Sequence, residues 1–256
     1  MDFFDQLMAY SFLKSGSLEL LLDNMPQRAT APRGKSGRQM MAEALTGKIR
    51  TNSAMLRQGA KNASEAAAMA DSIANATSSL SATLAEMLAL AQKVQADPSQ
   101  SATAGPAFQT LATTLAATVS GTQYNGISLL DSDGWGTDKR LTVSSDGTTA
   151  TVPIQLGYGT SKFTLYNLSG LKELTTVDLS TILPADLTAL TDSLADYGNI
   201  LAALNTNYTS LATSYTNEQN FMNEQAEILA RAAKNALPDE IDPLLRSRGG
   251  ILSSLG

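Results

Sequence analysis

The feature that most constrains this chain is an apolar residue at alternating steps of three and four, running through its C-terminal part. Leu187, Leu190, Leu194, Tyr197, Leu201, Leu204, Tyr208, Leu211 and Tyr215 follow the spacing 3-4-3-4-3-4-3-4. The same register continues through Glu218, Met222, Gln225, Leu229 and Ala232. A mean spacing near 3.5 residues keeps these positions on one side of an α-helix, where a facing helix can cover them. The pattern predicts one helix over residues 185–236, about 75 Å long at ~1.5 Å per residue. Pro184 precedes it, Asp186 sits in its first turn where the helix dipole favours an acid, and Pro238 ends it. A second long helix is the expected cover for this stripe.

Residues 38–97 supply one. The stretch contains no proline, and Gly47 and Gly59 are its only weak points. Ile73, Thr77, Leu80, Leu84, Met87, Ala91 and Val94 repeat the heptad, and Asp97-Pro98 stops it. A short second helix is expected over 106–122, from Phe108, Leu111, Leu115 and Val119, with Gly121 as its C′ residue. The connection contains Pro98, Ser99, Gly105 and Pro106, and its shortness makes the two helices antiparallel neighbours.

From residue 123 the signals change. Asn125-Gly126, Asp133-Gly134, Asp146-Gly147 and Gly157/Gly159 mark turns. Between them, Leu141–Ser144, Ala150–Leu156 and Lys162–Tyr166 carry β-branched and aromatic residues. They read as a hairpin closed near Asp146-Gly147 with a third strand at about 162–167. Trp135 lies in a Gly-rich loop and reads either as a cap on this small sheet or as an exposed contact.

The two ends of the chain share a character. Residues 2–24 include Phe3, Phe4, Leu7, Met8, Phe12 and Leu13, and residues 244–255 include Leu244, Leu245, Ile251, Leu252 and Leu255. Each is apolar and too short to fold alone. Each is separated from the long helices by breakers, Pro26, Pro32, Gly34 and Gly37 on one side and Pro238, Pro243, Gly249 and Gly250 on the other. The organisation expected is therefore an N-terminal inner segment and linker (1–37), N-terminal core helices (38–122), a small β element (123–184), a C-terminal core helix (185–236) and a C-terminal inner segment (237–256).

Composition removes most enzyme classes. The chain has no cysteine, no histidine and one tryptophan among 256 residues. Disulfide scaffolds, thiolate metal sites and imidazole catalysis are thereby excluded. There is no phosphate-cradling Gly loop and no dinucleotide fingerprint. Asp131, Asp133 and Asp138 flank Gly134 and Gly136, but without the terminal Glu of an EF-hand they read as an Asp-Gly turn. No catalytic residue, cofactor or metal site is expected.

Net charge is −6, which argues against nucleic acid as a partner. Arg28, Arg33, Lys35, Arg38, Lys48, Arg50, Arg57 and Lys61 are nonetheless offset within their stretch by Glu43 alone, so 28–61 carries about +7. That run reads as a solvated helix face or as a surface that meets an acidic neighbour. No segment is apolar and long enough to span a membrane, and the start lacks the basic region of a secretory signal. Any export is expected to use a route without a cleaved signal peptide.

Three stretches carry a resemblance. Met41-Ala-Glu-Ala-Leu-Thr-Gly-Lys-Ile-Arg, Gln58-Gly-Ala-Lys-Asn-Ala-Ser-Glu-Ala-Ala-Ala-Met-Ala and, most specifically, Thr122-Gln-Tyr-Asn-Gly-Ile-Ser-Leu-Leu resemble bacterial flagellin. Leu252-Ser-Ser-Leu-Gly is similar to the usual ending of that family. The resemblance covers about residues 38–236, and both termini diverge from the family pattern. It implies a mainly α fold of long antiparallel coiled-coil helices, a flagellin D1-like core, with a small β-hairpin element and terminal helices. It further implies a structural subunit that self-assembles into an extracellular helical filament, the flagellar filament used for motility. The alternatives are a hook–filament junction or non-motility filament protein and, in a different class, a monomeric coiled-coil adhesin or secretion-tip protein.

The partners implied are many copies of the same chain, an export chaperone, a type III-type flagellar export apparatus, and filament cap or junction proteins. Neither nucleic-acid binding nor membrane insertion is expected. The subunit-interface candidates are Phe3, Phe4, Leu7, Phe12, Arg28, Arg33, Lys35, Arg38, Arg50, Leu244, Leu245, Ile251, Leu252 and Leu255. The core seam is expected at Leu80, Leu84, Met87, Leu194, Tyr197, Leu201, Leu204, Tyr208, Leu211 and Tyr215.

Overall fold

The computed structural model describes residues 37–235. The fold is mainly helical with a small antiparallel sheet. Helix α1 spans Gly37–Ala96, α2 spans Ser101–Gly121 and α3 spans Pro184–Asn235. The strands are β1 (Gln123–Tyr124), β2 (Ile127–Ser128), β3 (Thr142–Val143), β4 (Thr149–Leu156) and β5 (Gly159–Tyr166). Short 3-10 turns lie at Pro98–Gln100, Ser132–Gly134 and Ser169–Thr176. Two compact units divide the chain. Ser53–Ile228 forms one, and the other comprises the chain's two ends, of which 37–52 and 229–235 are described. In the latter, Thr46 and Ala233 are buried.

Within 53–228, three hydrogen bonds fix how α1 and α3 lie. Ser53 Oγ donates to Ala226 O at 2.8 Å, Asn205 Nδ2 donates to Ala74 O at 2.6 Å, and Gln95 Nε2 donates to Thr188 Oγ1 at 3.1 Å. Partner numbers rise along α1 as they fall along α3, so the helices are antiparallel. Between the first two contacts each helix advances by the same 21 residues, from 53 to 74 and from 226 to 205, so the register holds over roughly 30 Å.

The middle of α1 is rich in alanine because it is covered on more than one side. Ala60, Ala63, Ala66, Ala67, Ala70 and Ala74 are buried along with Leu56, Met69 and Ile73. Small side chains let a helix be approached closely by several neighbours without voids. One neighbour is the β4–β5 hairpin. Its strands alternate cleanly: Ala150, Val152, Ile154, Phe163 and Leu165 are buried, while Pro153, Gln155, Lys162 and Tyr166 are exposed. Phe163 packs its ring 6.0 Å from Tyr208 and 6.1 Å from Tyr215 on α3. Asn62 of α1 donates to Gln155 O at 2.8 Å.

The hairpin tip explains Gly59. A Cβ at this position would collide with the backbone nitrogen of Gly157 and come within 2.8 Å of Met222 Sδ. Gly157 itself has φ +55°, a left-handed conformation suited to glycine, and turns the chain between β4 and β5. Two glycines thus let the hairpin tip, α1 and α3 converge.

Several boundaries differ from the sequence reading. Helix α2 begins at Ser101 rather than at 106 and contains Pro106. Six residues into a helix, proline removes only one early hydrogen bond, and the preceding 3-10 turn runs straight into α2. Gly121 is the last helical residue, not a left-handed C′ glycine, and Thr122 N–H closes the helix onto Thr118 O. Asn125-Gly126 is more than a turn. Asn125 (φ 49°) and Gly126 (φ 77°) join β1 to β2 in a two-residue hairpin. The β3–β4 turn at Asp146-Gly147 matches its sequence signal, and Ser144 Oγ and Thr148 N–H hold the Asp146 carboxyl down at about 2.

Candidate assembly surfaces

Whatever a helix buries inward cannot be offered outward to a neighbour. On α1, Leu80, Leu84 and Met87 are buried, together with Ile73, Thr77, Ala91 and Val94 of the same heptad. On α3, Leu194, Leu201, Leu204, Tyr208 and Tyr215 are buried, whereas Tyr197 and Leu211 are half-buried. Beyond Tyr208 one of the two alternating seam positions moves, while Tyr215 and Met222 stay buried in the original register. Ala212, Ala226 and Ala233 are buried, while Leu211, Gln225 and Ala232, each one residue earlier, are only half-buried. The seam tyrosines also have polar partners. Tyr208 OH donates to Thr164 O at 2.8 Å, and Tyr215 OH lies 3.2 Å from Ser161 Oγ. Burial pushes the Tyr208 phenol up, well above its ordinary pKa.

The aspartates of the 131–138 loop are held by basic side chains. Lys172 Nζ donates to both Asp131 oxygens at 2.9 and 3.0 Å and to Asp133 Oδ2 at 2.6 Å. Asp131 also accepts from Ser120 Oγ and from Asp133 N–H. Burial opposes the charge on Asp131, but these hydrogen bonds outweigh it and hold the carboxyl below its ordinary pKa. Asp133 and then Asp131 push the Lys172 ammonium up. The ammonium bridges the two carboxylates. Its effect is structural, since it ties the 3-10 turn at Ser169–Thr176 to the end of α2 and the loop after β2. Trp135 is buried in this region, with Nε1 donating to Ser128 O at 2.9 Å, and so is not an exposed contact. Nearby, Arg140 binds Asp138 and Asn125 O, and the Asp138 carboxyl is held at about 2 by the guanidinium.

Of the interface candidates, Phe3, Phe4, Leu7, Phe12, Arg28, Arg33, Lys35, Leu244, Leu245, Ile251, Leu252 and Leu255 lie outside the described residues. Arg38 falls in the first turn of α1, and Arg50 is exposed farther along the same helix. Lys48, Arg57 and Lys61, from the same basic run, are exposed on α1 as well.

The sequence reading did not single out three other surfaces. Ile200, Phe221 and Ile228 are exposed apolar residues on α3. A cleft of about 410 Å³ lies between α1, the β1–β2 hairpin and β4, lined by Glu65, Met69, Tyr124, Arg140 and Pro153 among others. A groove of about 590 Å³ lies between α1 and α2, lined by Glu86, Ala89, Leu90, Lys93, Ala107, Thr110 and Leu111. Only the last had a signal in the sequence: the 21 residues of α2 contain no charged side chain.

Compared with protein-family models and with curated proteins, the chain matches none of them.

Proposed function

We propose that this chain is the structural subunit of an extracellular helical filament of the flagellin type, with motility as its role. The observation that carries the reading is the antiparallel register of α1 and α3. Ser53 and Ala226 are hydrogen-bonded partners, so the two helices lie side by side at the end of the Ser53–Ile228 unit. The apolar terminal segments are proposed to make the contacts to copies above and below. In this proposal α1 and α3 wind as a coiled coil, and heterologous contacts repeat without closing. The terminal segments gain their order from neighbours, and their folding is coupled to assembly. Export in an extended state suits a chain without cysteine. An export chaperone, a type III-type export apparatus and cap or junction proteins are the further partners of this reading.

The prolines and glycines at both ends favour a second version on the same plan, a hook–filament junction or non-motility filament protein. The decisive experiment is electron microscopy of the purified chain under polymerising conditions, with variants lacking residues 1–24 or 237–256. Filaments that disappear on either deletion support the proposal. A soluble monomer that never polymerises under any salt or seeding condition would sink it in favour of the monomeric adhesin or secretion-tip reading.

A further inference from the structure

The groove between α1 and α2 is bounded by one acid and one base. Glu86 and Lys93 stand two turns apart on α1, about 10 Å along its axis, and both line the groove. Both are exposed, and neither forms an ion pair among the described residues. Lys93 does act weakly and through space on Asp97, whose carboxyl is held down chiefly by Ser99. The floor between them is Ala89, Leu90, Ala107 and Leu111. The adjoining face of α2 exposes Ala102, Thr103, Ala107, Thr110, Thr114 and Ala117, with no charge to keep a neighbour away.

The midpoint of Glu86 and Lys93 falls between Ala89 and Leu90, which also line the groove. We propose that this groove receives α1 of a second copy of this chain in a two-fold symmetric, antiparallel contact. About such an axis Glu86 meets the partner's Lys93, the partner's Glu86 meets Lys93, and Leu90 packs on the small Ala89 of the partner. An isologous interface must be self-complementary, and an acid and a base placed symmetrically about an apolar centre satisfy that requirement. This contact does not depend on the filament reading, because it joins copies pointing in opposite directions.

Charge exchange tests it in the full chain, by sedimentation at low ionic strength and below the concentration that nucleates filaments. The unmodified chain dimerises. Glu86→Lys and Lys93→Glu each place like charges face to face, and each weakens dimerisation at least tenfold. An equimolar mixture of the two variants regains the dimer, since every contact then joins opposite charges, and the double variant also dimerises. In a chain with no natural cysteine, Ala89→Cys forms an intermolecular disulfide on oxidation, whereas Ala203→Cys on α3 does not. A chain that stays monomeric, single variants that associate unchanged, or a mixture that fails to recover the dimer overturns the proposal. Filament formation is scored separately by electron microscopy of the terminal deletions, so loss of the dimer with filaments intact rejects this contact alone.

Discussion

Gly59 and Gly47 sit in the same helix and carry opposite meanings. Nothing lies within 4 Å of a Cβ built on Gly47, so Gly47→Ala only removes unfolded-state freedom and is expected to stabilise by about 0.5–1 kcal/mol. At Gly59 the added methyl would meet the Gly157 backbone, which cannot move as a flexible side chain can. Gly59→Ala is expected to destabilise by about 1–3 kcal/mol, measured by urea unfolding of both variants. Lys172 offers a second test at this scale. Lys172→Met leaves Asp131 buried with its charge opposed only by neutral donors, at a cost of about 1–3 kcal/mol at neutral pH. The sign of its pH dependence is fixed. The lowered Asp131 pKa stabilises fully above its ordinary value near 4 and is lost as pH falls through the folded value. The raised Lys172 pKa stabilises below its ordinary value and is lost only at strongly alkaline pH. The difference between parent and variant is therefore expected to shrink below about pH 4, as followed by unfolding across pH.

Among the elements, α3 shows how far a heptad reading carries. Beyond Tyr208 one of the two alternating seam positions moves on by a residue, so that Ala212, Ala226 and Ala233 take over from Leu211, Gln225 and Ala232, while Tyr215 and Met222 stay buried in the original register. Alanine there lets α1 approach closely enough for Ser53 to reach Ala226 O. Ala226→Glu is expected to cost about 3 kcal/mol or more, because it buries a charge without a partner, whereas Gln225→Glu should cost under about 0.5 kcal/mol. Chemical denaturation of the pair distinguishes the two positions. The heptad identified the helix and its inward side, but which of two adjacent residues is buried near its end depends on the partner helix, which spacing alone does not contain.

At the scale of the whole Ser53–Ile228 unit, the hairpin and the loop core are not separate modules. Phe163 stacks against α3, Asn62 of α1 holds β4, and the 3-10 turn at Ser169–Thr176 buries Leu171 and Leu174 while Gln109 of α2 bonds to Val177 O. The single tryptophan, 1% exposed, reports on this region. Its fluorescence and the helical circular dichroism are expected to be lost together in urea, with one midpoint. Two separated midpoints would show that the β region unfolds independently of the helices.

The sequence by itself determined the long helices, the small antiparallel sheet and the turns at Asp146-Gly147 and Gly157. Each follows from local periodicity or from the φ a residue can adopt, and these act over a few neighbouring positions. The tertiary structure alone decided that Gly59 is a packing contact, that Lys172 pairs with Asp131 across 41 residues, that Trp135 is buried, and that an acid and a base border one groove. The physical reason is that packing and ion pairing depend on which distant segments share a surface. Heptad spacing requires a partner helix, but neither its register nor the loops packed beside it are written in the spacing.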